Sequence, residues 1–537
     1  MSGKIRYSVI LSAALLFAAC TDKKEAEVPE GPSASLSQMS EVNAALENNA
    51  DKFTSTYEIF VYSFFDSDQD GIGDLNGITS KLDYIRDLGF NAVWLTPVCD
   101  SPTYHKYDVR DYMKIDPQFG TMEDFDALVS AFHENGISII TDLVLNHTSV
   151  EHPWFTQAAD YLRSIGDAEP DINECPYVDY FNFSREFQTG YASLQGTGWY
   201  YEARFWEGMP DLNLDSEAVK DEIGKIMDFW IGHGVDGFRL DAVTSYYTGN
   251  DDGSIAFLQW LAERGRQTKE DLYFVAEAWT DRSTYAKYYA SGINSMFDFA
   301  FADSGGIIAS ALKGSYSAKD YVTAMSSEQE LYASYSQYYR NAPFYTNHDM
   351  GRSAGYYAGD DGSKTKLAGA MNILMSGNVY VYYGEELGMK GAGKDENKRA
   401  PMYWTAGESE GKCAGPENMD DIEMKFPAYD EQKDDPYSIL NYYHEAVKIR
   451  DAFPSVANGK VTASEYCTDT AAVFEKDDGE HEPVLIAMNI SAEPCEIDLG
   501  SSGYTKLSAV LTVSGEYITF ADGKLVLPAY GTAVLTK

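Results

Sequence analysis

Gly237-Phe238-Arg239-Leu240-Asp241-Ala242-Val243 is a short apolar run interrupted by one arginine and one aspartate, two positions apart. A glycine opens it after a helix-like pattern, and the side-chain period of a strand puts Arg239 and Asp241 on the same side. A cation beside a carboxylate favours the charged form, so this pair keeps Asp241 ionised at neutral pH. Taken alone, it reads as a structural ion pair at a strand end. Three more strand-like runs change that reading, because each ends in acid or histidine: Asp142 to His147, Phe274 to Glu277 and Phe344 to Asp349.

Outward from this stretch, buried-looking strands alternate with helical patterns from Tyr57 on. The strand candidates are Glu58–Phe65, Ala92–Pro97, Ser138–Asn146, Gly237–Val243, Leu272–Trp279, Ser295–Ala300, Pro343–Asp349 and Asn378–Glu386. Amphipathic stretches such as Ile78–Leu88, Met122–Asn135 and Ala218–His233 fall between them. Alternation of this kind implies parallel sheet, and eight units imply an α/β fold, a closed (β/α)8 TIM barrel. Chemistry in such barrels gathers at the C-terminal ends of the strands, where the acids and histidines fall. One connection is long and aromatic-rich, and residues 148–213 are read as an irregular insertion domain after the third strand. The barrel then occupies residues 50–147 and 214–453. After Phe453 short alternating runs with turns between them predict a C-terminal all-β sandwich over residues 454–537.

Composition narrows the function. The 537 residues carry a formal charge of −43, which makes the chain a poor candidate for binding nucleic acid or anionic lipid through a basic patch. Aromatic content is 14%, with 40 Tyr, which suits platforms for the apolar faces of sugar rings and equally suits ordinary core. The six cysteines are scattered and form no C-x-x-C pair, so no dense disulfide framework or cysteine metal site is expected. Residues 1–19 have a charged start and a short apolar run, the pattern of a signal peptide. Phe17-Ala18-Ala19-Cys20 resembles a bacterial lipobox, which implies a lipid anchor on Cys20 in a bacterial envelope. Residues 20–49 are polar and Pro/Gly/Ser-bearing and read as a flexible tether.

The loop after the first strand is Asp66-Ser67-Asp68-Gln69-Asp70-Gly71-Ile72-Gly73-Asp74. Carboxylates at alternate positions around a glycine turn can converge on one hard cation, with the Ile72 carbonyl as a further ligand. The register matches the first part of an EF-hand loop, but Gly77 stands where the closing glutamate belongs. The expectation is a structural Ca²⁺ bound by Asp66, Asp68, Asp70, Ile72 and Asp74, in a loop of a different sort.

In order along successive strands come Tyr107-Asp108-Val109, Asp142-Leu143-Val144-Leu145-Asn146-His147, Gly237-Phe238-Arg239-Leu240-Asp241, Ala276-Glu277-Ala278-Trp279 and Asn347-His348-Asp349. Each is weak alone; the ordered set resembles the α-amylase family of glycoside hydrolases, from about Tyr57 to the end of the chain. The resemblance implies a retaining double displacement. Asp241 would be the nucleophile, Glu277 the general acid/base, and Asp349 would hydrogen-bond the sugar and help hold the distorted transition state. Tyr107 would stack beneath the reacting ring, His147 and His348 would bind its hydroxyls, and Asp108 and Arg352 would join the substrate-binding set. Arg239 would orient Asp241. Elementary chemistry agrees: retention needs one ionised and one protonated carboxyl about 5–5.5 Å apart. The apolar neighbours Ala276, Ala278 and Trp279 are expected to push the Glu277 pKa up.

Met209-Pro210-Asp211-Leu212-Asn213 resembles the motif of family members intermediate between oligo-1,6-glucosidases and neopullulanase-like enzymes. Ala242 after the nucleophile accompanies α-1,4 preference in the glucosidase branch. Arg399-Ala400-Pro401-Met402-Tyr403-Trp404 fits the family as a loop near the leaving-side subsites. The expected partner is therefore an α-glucan, starch or maltodextrin, cleaved at α-1,4 bonds. The alternatives are an α-glucosidase or neopullulanase-like hydrolase or transglycosylase on short oligosaccharides, and a non-catalytic glucan-binding protein on a degenerate barrel. All three acids are present, which places the last reading lowest.

Overall fold

Strand β1 (Ser55–Ile59) pairs in parallel with β2 (Ala92–Leu95), β2 with β3 (Ser138–Leu143), β3 with β4 (Gly237–Leu240), β4 with β5 (Tyr273–Ala276) and β5 with β6 (Ser295–Met296). This computed structural model describes residues 37–537; the expected signal peptide, Cys20 and the first part of the expected tether lie outside the described residues. The ring closes through a seventh segment, residues 342–344, called β7. It bridges Phe297 after β6 through Ala342 and Tyr380 through Phe344, both in parallel. Tyr380 belongs to β8 (Val379–Tyr382), which pairs with β1. All eight staves of the expected barrel are thus present, but β6 and β7 are far shorter than the apolar runs that contain them.

Alternation sorts each strand's side chains into two cores. Ala92 and Trp94 point into the barrel with Ile140, Tyr273, Val275, Phe297, Phe344 and Tyr380. Their neighbours Val93 and Leu95 join the larger core between strands and helices. Burial on both faces is why the strands read as apolar runs rather than as half-polar ones. The same period puts Phe238 and Leu240 in the outer core, so Arg239 and Asp241 take the inner face.

Local chemistry sets where the helices begin. Thr121 and Asp124 cap each other at the start of Met122–Glu134, and Ser216 accepts from Val219 N–H at the start of Glu217–Gly232. The continuous helix expected over Ile78–Leu88 is instead two, Leu75–Ser80 and Leu82–Leu88, broken at Lys81. The first strand also differs from its expectation. It starts at Ser55 because Thr56 Oγ1 finds Asn378 Oδ1 at 3.0 Å, which lets a polar residue sit inside the barrel.

Between β3 and β4 the insertion holds a helix, Pro153–Ile165, and a small antiparallel sheet of Phe183–Ser184, Tyr200–Glu202 and Tyr191–Ser193. A bridge between His147 and Asp211 ties both ends of the insertion to the end of β3. Past the barrel, a five-stranded and a three-stranded antiparallel sheet face each other over Val473, Leu485, Ile497, Leu525, Leu527 and Leu535. These are the C-terminal β strands expected after Phe453.

The tether expectation fails from Ser37 on. Gln38–Val42 is a short helix with Met39 fully buried. Gln38 exchanges two hydrogen bonds with the backbone of Ile518, and Asn43 exchanges two with that of Val510. The polar residues that made this stretch look solvated are its attachment to the terminal domain. The five described cysteines are free thiols, and no described helix is long and apolar enough to cross a membrane.

Candidate active site

Asp241 follows the last residue of β4, and Ala242 after it adopts a left-handed conformation (φ 47°, ψ 44°), strained for a residue with a Cβ. The bend turns the Ala242 N–H onto Glu277 Oε2 at 3.1 Å. Two backbone bonds, Glu277 N–H to Leu240 O at 2.9 Å and Val243 N–H to Glu277 O at 3.0 Å, join the ends of β4 and β5. The two carboxyl groups are therefore fixed to each other by backbone before any ligand arrives.

Beneath them lies the fully buried Arg239. Its Nη1 donates to Asp241 Oδ1 at 2.5 Å and to Asp142 Oδ1 at 2.8 Å, and its Nη2 stands 2.9 Å from Glu277 Oε1. The last contact is close but off the line of a hydrogen bond, so Arg239 Nη2 and Glu277 Oε1 both remain unpartnered. One guanidinium thus touches both acids expected to carry the chemistry. Burial pushes the Glu277 pKa up to about 7 against the pull of Arg239, with the charges of Asp241 and Asp349 adding to the rise. Asp142 also rises, to about 6, through burial opposed by Arg239.

On the β7 side, His348 is fully buried with both ring nitrogens engaged. Nδ1 meets Glu58 at 2.6 Å, while Nε2 lies 2.8 Å from the Tyr107 hydroxyl and 3.1 Å from Asp349 Oδ2. Burial works against the imidazolium, but Asp349 and Glu58 overcome it and raise His348 to about 10. Burial would likewise raise Asp349, yet His348 and then Arg399 hold its carboxyl well below the usual range. Arg399 donates to Asp349 Oδ1 at 2.7 Å and to the Tyr104 hydroxyl at 2.7 Å. The mouth therefore presents one carboxyl held in its acid form near neutrality and another held ionised.

These groups open on a cavity of about 340 Å³. Tyr107, His147, Asp241, Glu277 and Asp349 form its floor. Phe205 and Met209 of the insertion, Trp279 and the Asp395–Lys398 ion pair complete the lining. Burial keeps His147 neutral by lowering its pKa. Trp279 is 54% exposed and stacks on Phe299, with ring centres 5.3 Å apart.

Comparison with known proteins agrees with this geometry. Residues 58–459 match the family described as "Alpha amylase, catalytic domain". The chain is 37% identical over 458 residues to Alpha-amylase 3 of Dictyoglomus thermophilum, covering 81% of this chain and 84% of that one. The chain belongs to the α-amylase family of glycoside hydrolases. The solved structure titled "Eubacterium rectale Amy13B" superposes with a TM-score of 0.92 at 47% identity, covering 94% of this chain and 99% of that one. An α-amylase from H. orenii superposes with a TM-score of 0.79 at 33% identity, covering 91% and 100%. An oligo-1,6-glucosidase of Heyndrickxia coagulans is 29% identical over 529 residues, 82% of this chain and 92% of that one. As a member of this family, the chain is an enzyme, a glycosidase acting on α-glucans.

Within this α-amylase-family site, four of the residues read from sequence do not line the cavity. Arg239 and His348 are fully buried, and His348 spends both ring nitrogens on protein groups rather than facing a sugar. Asp108 and Arg352 lie off the cavity. Arg352 is buried elsewhere, donating to the carbonyls of Tyr383 (2.6 Å) and Lys398 (2.9 Å) over the rings of Tyr382 and Tyr383. It holds a loop, and Arg399 is the arginine that reaches Asp349. Asp108 is also buried, accepting from Ser101 Oγ at 2.9 Å and from Thr103 Oγ1, and so braces its own loop. The Glu277 environment agrees with its expectation in direction. Ala276 and Ala278 are fully buried, while Trp279 is half-exposed in the cavity lining, and burial raises Glu277 in the direction expected. Sequence reasoning missed Glu58 and Phe205, and placed Arg399 in a leaving-side loop without its contact to Asp349; none of the three shares a local motif with the site groups it meets.

In the loop after β1, one carboxylate oxygen each from Asp66, Asp68 and Asp74 lies within 4.8 Å of the others. Asp66 and Asp74 are buried. Asp70 is not in that group; it accepts the Ile72 N–H at 2.8 Å. Burial, then the charges of Asp68, Asp66 and Asp74, push the Asp70 carboxyl up.

Proposed function

We propose that this enzyme is a retaining α-amylase that cleaves α-1,4 bonds within starch and maltodextrins. The observation that carries the reading is the single guanidinium of Arg239 touching both Asp241 and Glu277. Carboxyls bridged this way suit the short separation that retention requires rather than the wider gap that admits a water. Asp241 attacks the anomeric carbon while Glu277 passes its proton to the glycosidic oxygen, which leaves as the hydroxyl of the departing chain. A glycosyl ester on Asp241 remains. Glu277, now a carboxylate, takes a proton from water, whose oxygen forms the new bond to the anomeric carbon as the ester oxygen of Asp241 leaves. Asp349, held ionised by His348 and Arg399, accepts hydrogen bonds from hydroxyls of the distorted ring.

An internal bond requires a cleft that a chain can cross. Two half-exposed aromatic side chains in the lining, Phe205 and Trp279, favour such a path over a closed terminal pocket. The second reading is an α-glucosidase or neopullulanase-like activity, which the oligo-1,6-glucosidase relative and the Met209–Asn213 motif favour. A product time course on soluble starch and pullulan separates them. Mixed malto-oligosaccharides appearing early from starch support the amylase, and glucose alone from the outset overturns it. The lipobox-like Phe17–Cys20 stretch supports export and a lipid anchor, with the enzyme body held at a bacterial envelope.

The loop Asp66–Asp74 is proposed to hold a structural Ca²⁺. Three converging carboxylates, two of them buried, form a hard oxygen donor set that fits this ion. Asp66, Asp68 and Asp74 would be the side-chain ligands, and Asp70 would serve by tightening the turn. Exhaustive chelation is expected to lower the melting temperature by several degrees, with calcium restoring it. An unchanged melting temperature with no metal found by elemental analysis removes the claim.

A further inference from the structure

A second cavity, of about 400 Å³, opens at the other end of the barrel. Its walls come from residues that precede strands rather than follow them: Asn294 before β6, Arg340 and Asn341 before β7, and Gly377 before β8. The link Asn458–Lys460 into the terminal domain completes the wall. This is the N-terminal rim, so the cavity is separate from the catalytic mouth.

Its lining is unusual for this chain. In a protein with 84 acidic residues, no carboxylate lines the cavity; amides, two tyrosines, an arginine and a lysine do. Several of these groups have capacity to spare among the described residues. Arg340 spends Nε on the Phe53 carbonyl (3.0 Å) and Nη2 on Asn458 Oδ1 (3.5 Å), leaving Nη1 and forming no ion pair. Asn294 accepts from Arg266 and from Phe274 N–H through Oδ1, which leaves its amide NH₂ free. At the lip stands Tyr338, 93% exposed, the most exposed large hydrophobic side chain described.

An uncovered ring beside fixed neutral donors and acceptors is the chemistry that recognises a polyhydroxylated ring: the aromatic face takes the C–H face, and the amides and guanidinium take the hydroxyls. The geometry points to a second saccharide site at the N-terminal rim, in which Tyr338, Arg340, Asn294 and Gln337 hold a segment of the same α-glucan that the mouth cleaves. Such a site keeps the enzyme on a polymer between cuts, because two linked contacts raise the local concentration of the second. It rests on the α-glucan reading of the mouth for the identity of the ligand. An anion would use Arg340 and Lys460 but gain nothing from the bare ring of Tyr338.

Native gels cast with amylopectin test the proposal, using the full chain carrying Glu277→Gln so that the polymer survives. Tyr338→Ala and, separately, Arg340→Gln in that background are expected to weaken retardation about fivefold. Tyr338→Ala in the active chain is expected to leave kcat/KM on maltotriose unchanged and lower the rate on amylopectin. Retardation equal to the parent in both variants, while the active chain still hydrolyses starch, overturns the second site alone. Inorganic phosphate abolishing the Tyr338-dependent retardation overturns it in favour of an anion site. A chain that neither hydrolyses starch nor is retarded by amylopectin overturns the reading of the mouth itself.

Discussion

Arg239 and Arg450 are both fully buried arginines at opposite rims of one barrel, and they are held in opposite ways. Arg239, at the mouth, faces three carboxylates, which raise its pKa. Arg450, at the floor, faces four backbone carbonyls: Thr54 at 2.8 Å, Ile373 at 2.6 Å, and Met375 and Gly377 at 2.5 Å each. Burial lowers Arg450 to about 9, because dipoles replace only part of the lost hydration. The difference separates a working cation from a clamping one. Carboxylates around Arg239 can change protonation and trade partners, which a reaction needs. Carbonyls around Arg450 cannot titrate, and they tie the helix Ile439–Ala452 to the starts of β1 and β8.

The sharpest way to break this contrast is at the mouth. Glu277→Gln keeps the shape and removes the proton donor, so kcat on starch is expected to fall by about 10³-fold or more. Its fold should persist, since Glu277 is a destabilising charge. The sign follows from the raised pKa: the folded state binds the proton more tightly than the unfolded chain, whose glutamate titrates near about 4.3. That preference stabilises the fold at low pH and is lost as pH rises through about 7. At pH 8 the glutamine variant should therefore be at least as stable as the parent in urea. Full activity in Glu277→Gln would sink the assignment of the acid.

At the floor the outcome should reverse. Arg450→Met removes the side-chain donor of the Ile373, Met375 and Gly377 carbonyls, while Thr54 keeps the Val379 N–H. It is expected to lower unfolding stability by about 3 kcal/mol, with kcat of the folded fraction unchanged. A large loss of kcat without loss of stability would erase the distinction between the two arginines. The mildest effect concerns pH. Because catalysis needs Glu277 protonated, kcat/KM should decline tenfold per pH unit above about 7. Maltotriose hydrolysis between pH 6 and 9 checks it, and a flat profile across that range would contradict the raised pKa.

How much was legible in advance follows from range. The Arg239–Asp241 pair was readable because strand period acts over two residues, and the eight staves were readable because buried strands must be apolar. Glu58 was hidden because it looks like one more strand residue; only the closed barrel sets it 2.6 Å from His348, 290 positions away. Arg399 and Arg352 show the limit plainly. Both are arginines near expected motifs, and no local pattern says that one meets Asp349 while the other meets carbonyls. Residues 37–49 read as linker because composition does not reveal that Gln38 and Asn43 have backbone partners more than 450 positions on.

By itself the sequence determined the strand–helix alternation, the faces of each strand, and which side chains with chemistry end each stave, since all of these depend on short-range periodicity and steric preference. The direction for Glu277 was expected from its neighbours, but tertiary structure alone decided how far it moves and what holds Asp349 and His348. Burial and the approach of charges from distant staves are properties of the closed ring, and they make Glu277 an acid, keep Asp349 a carboxylate and turn His348 into a cation.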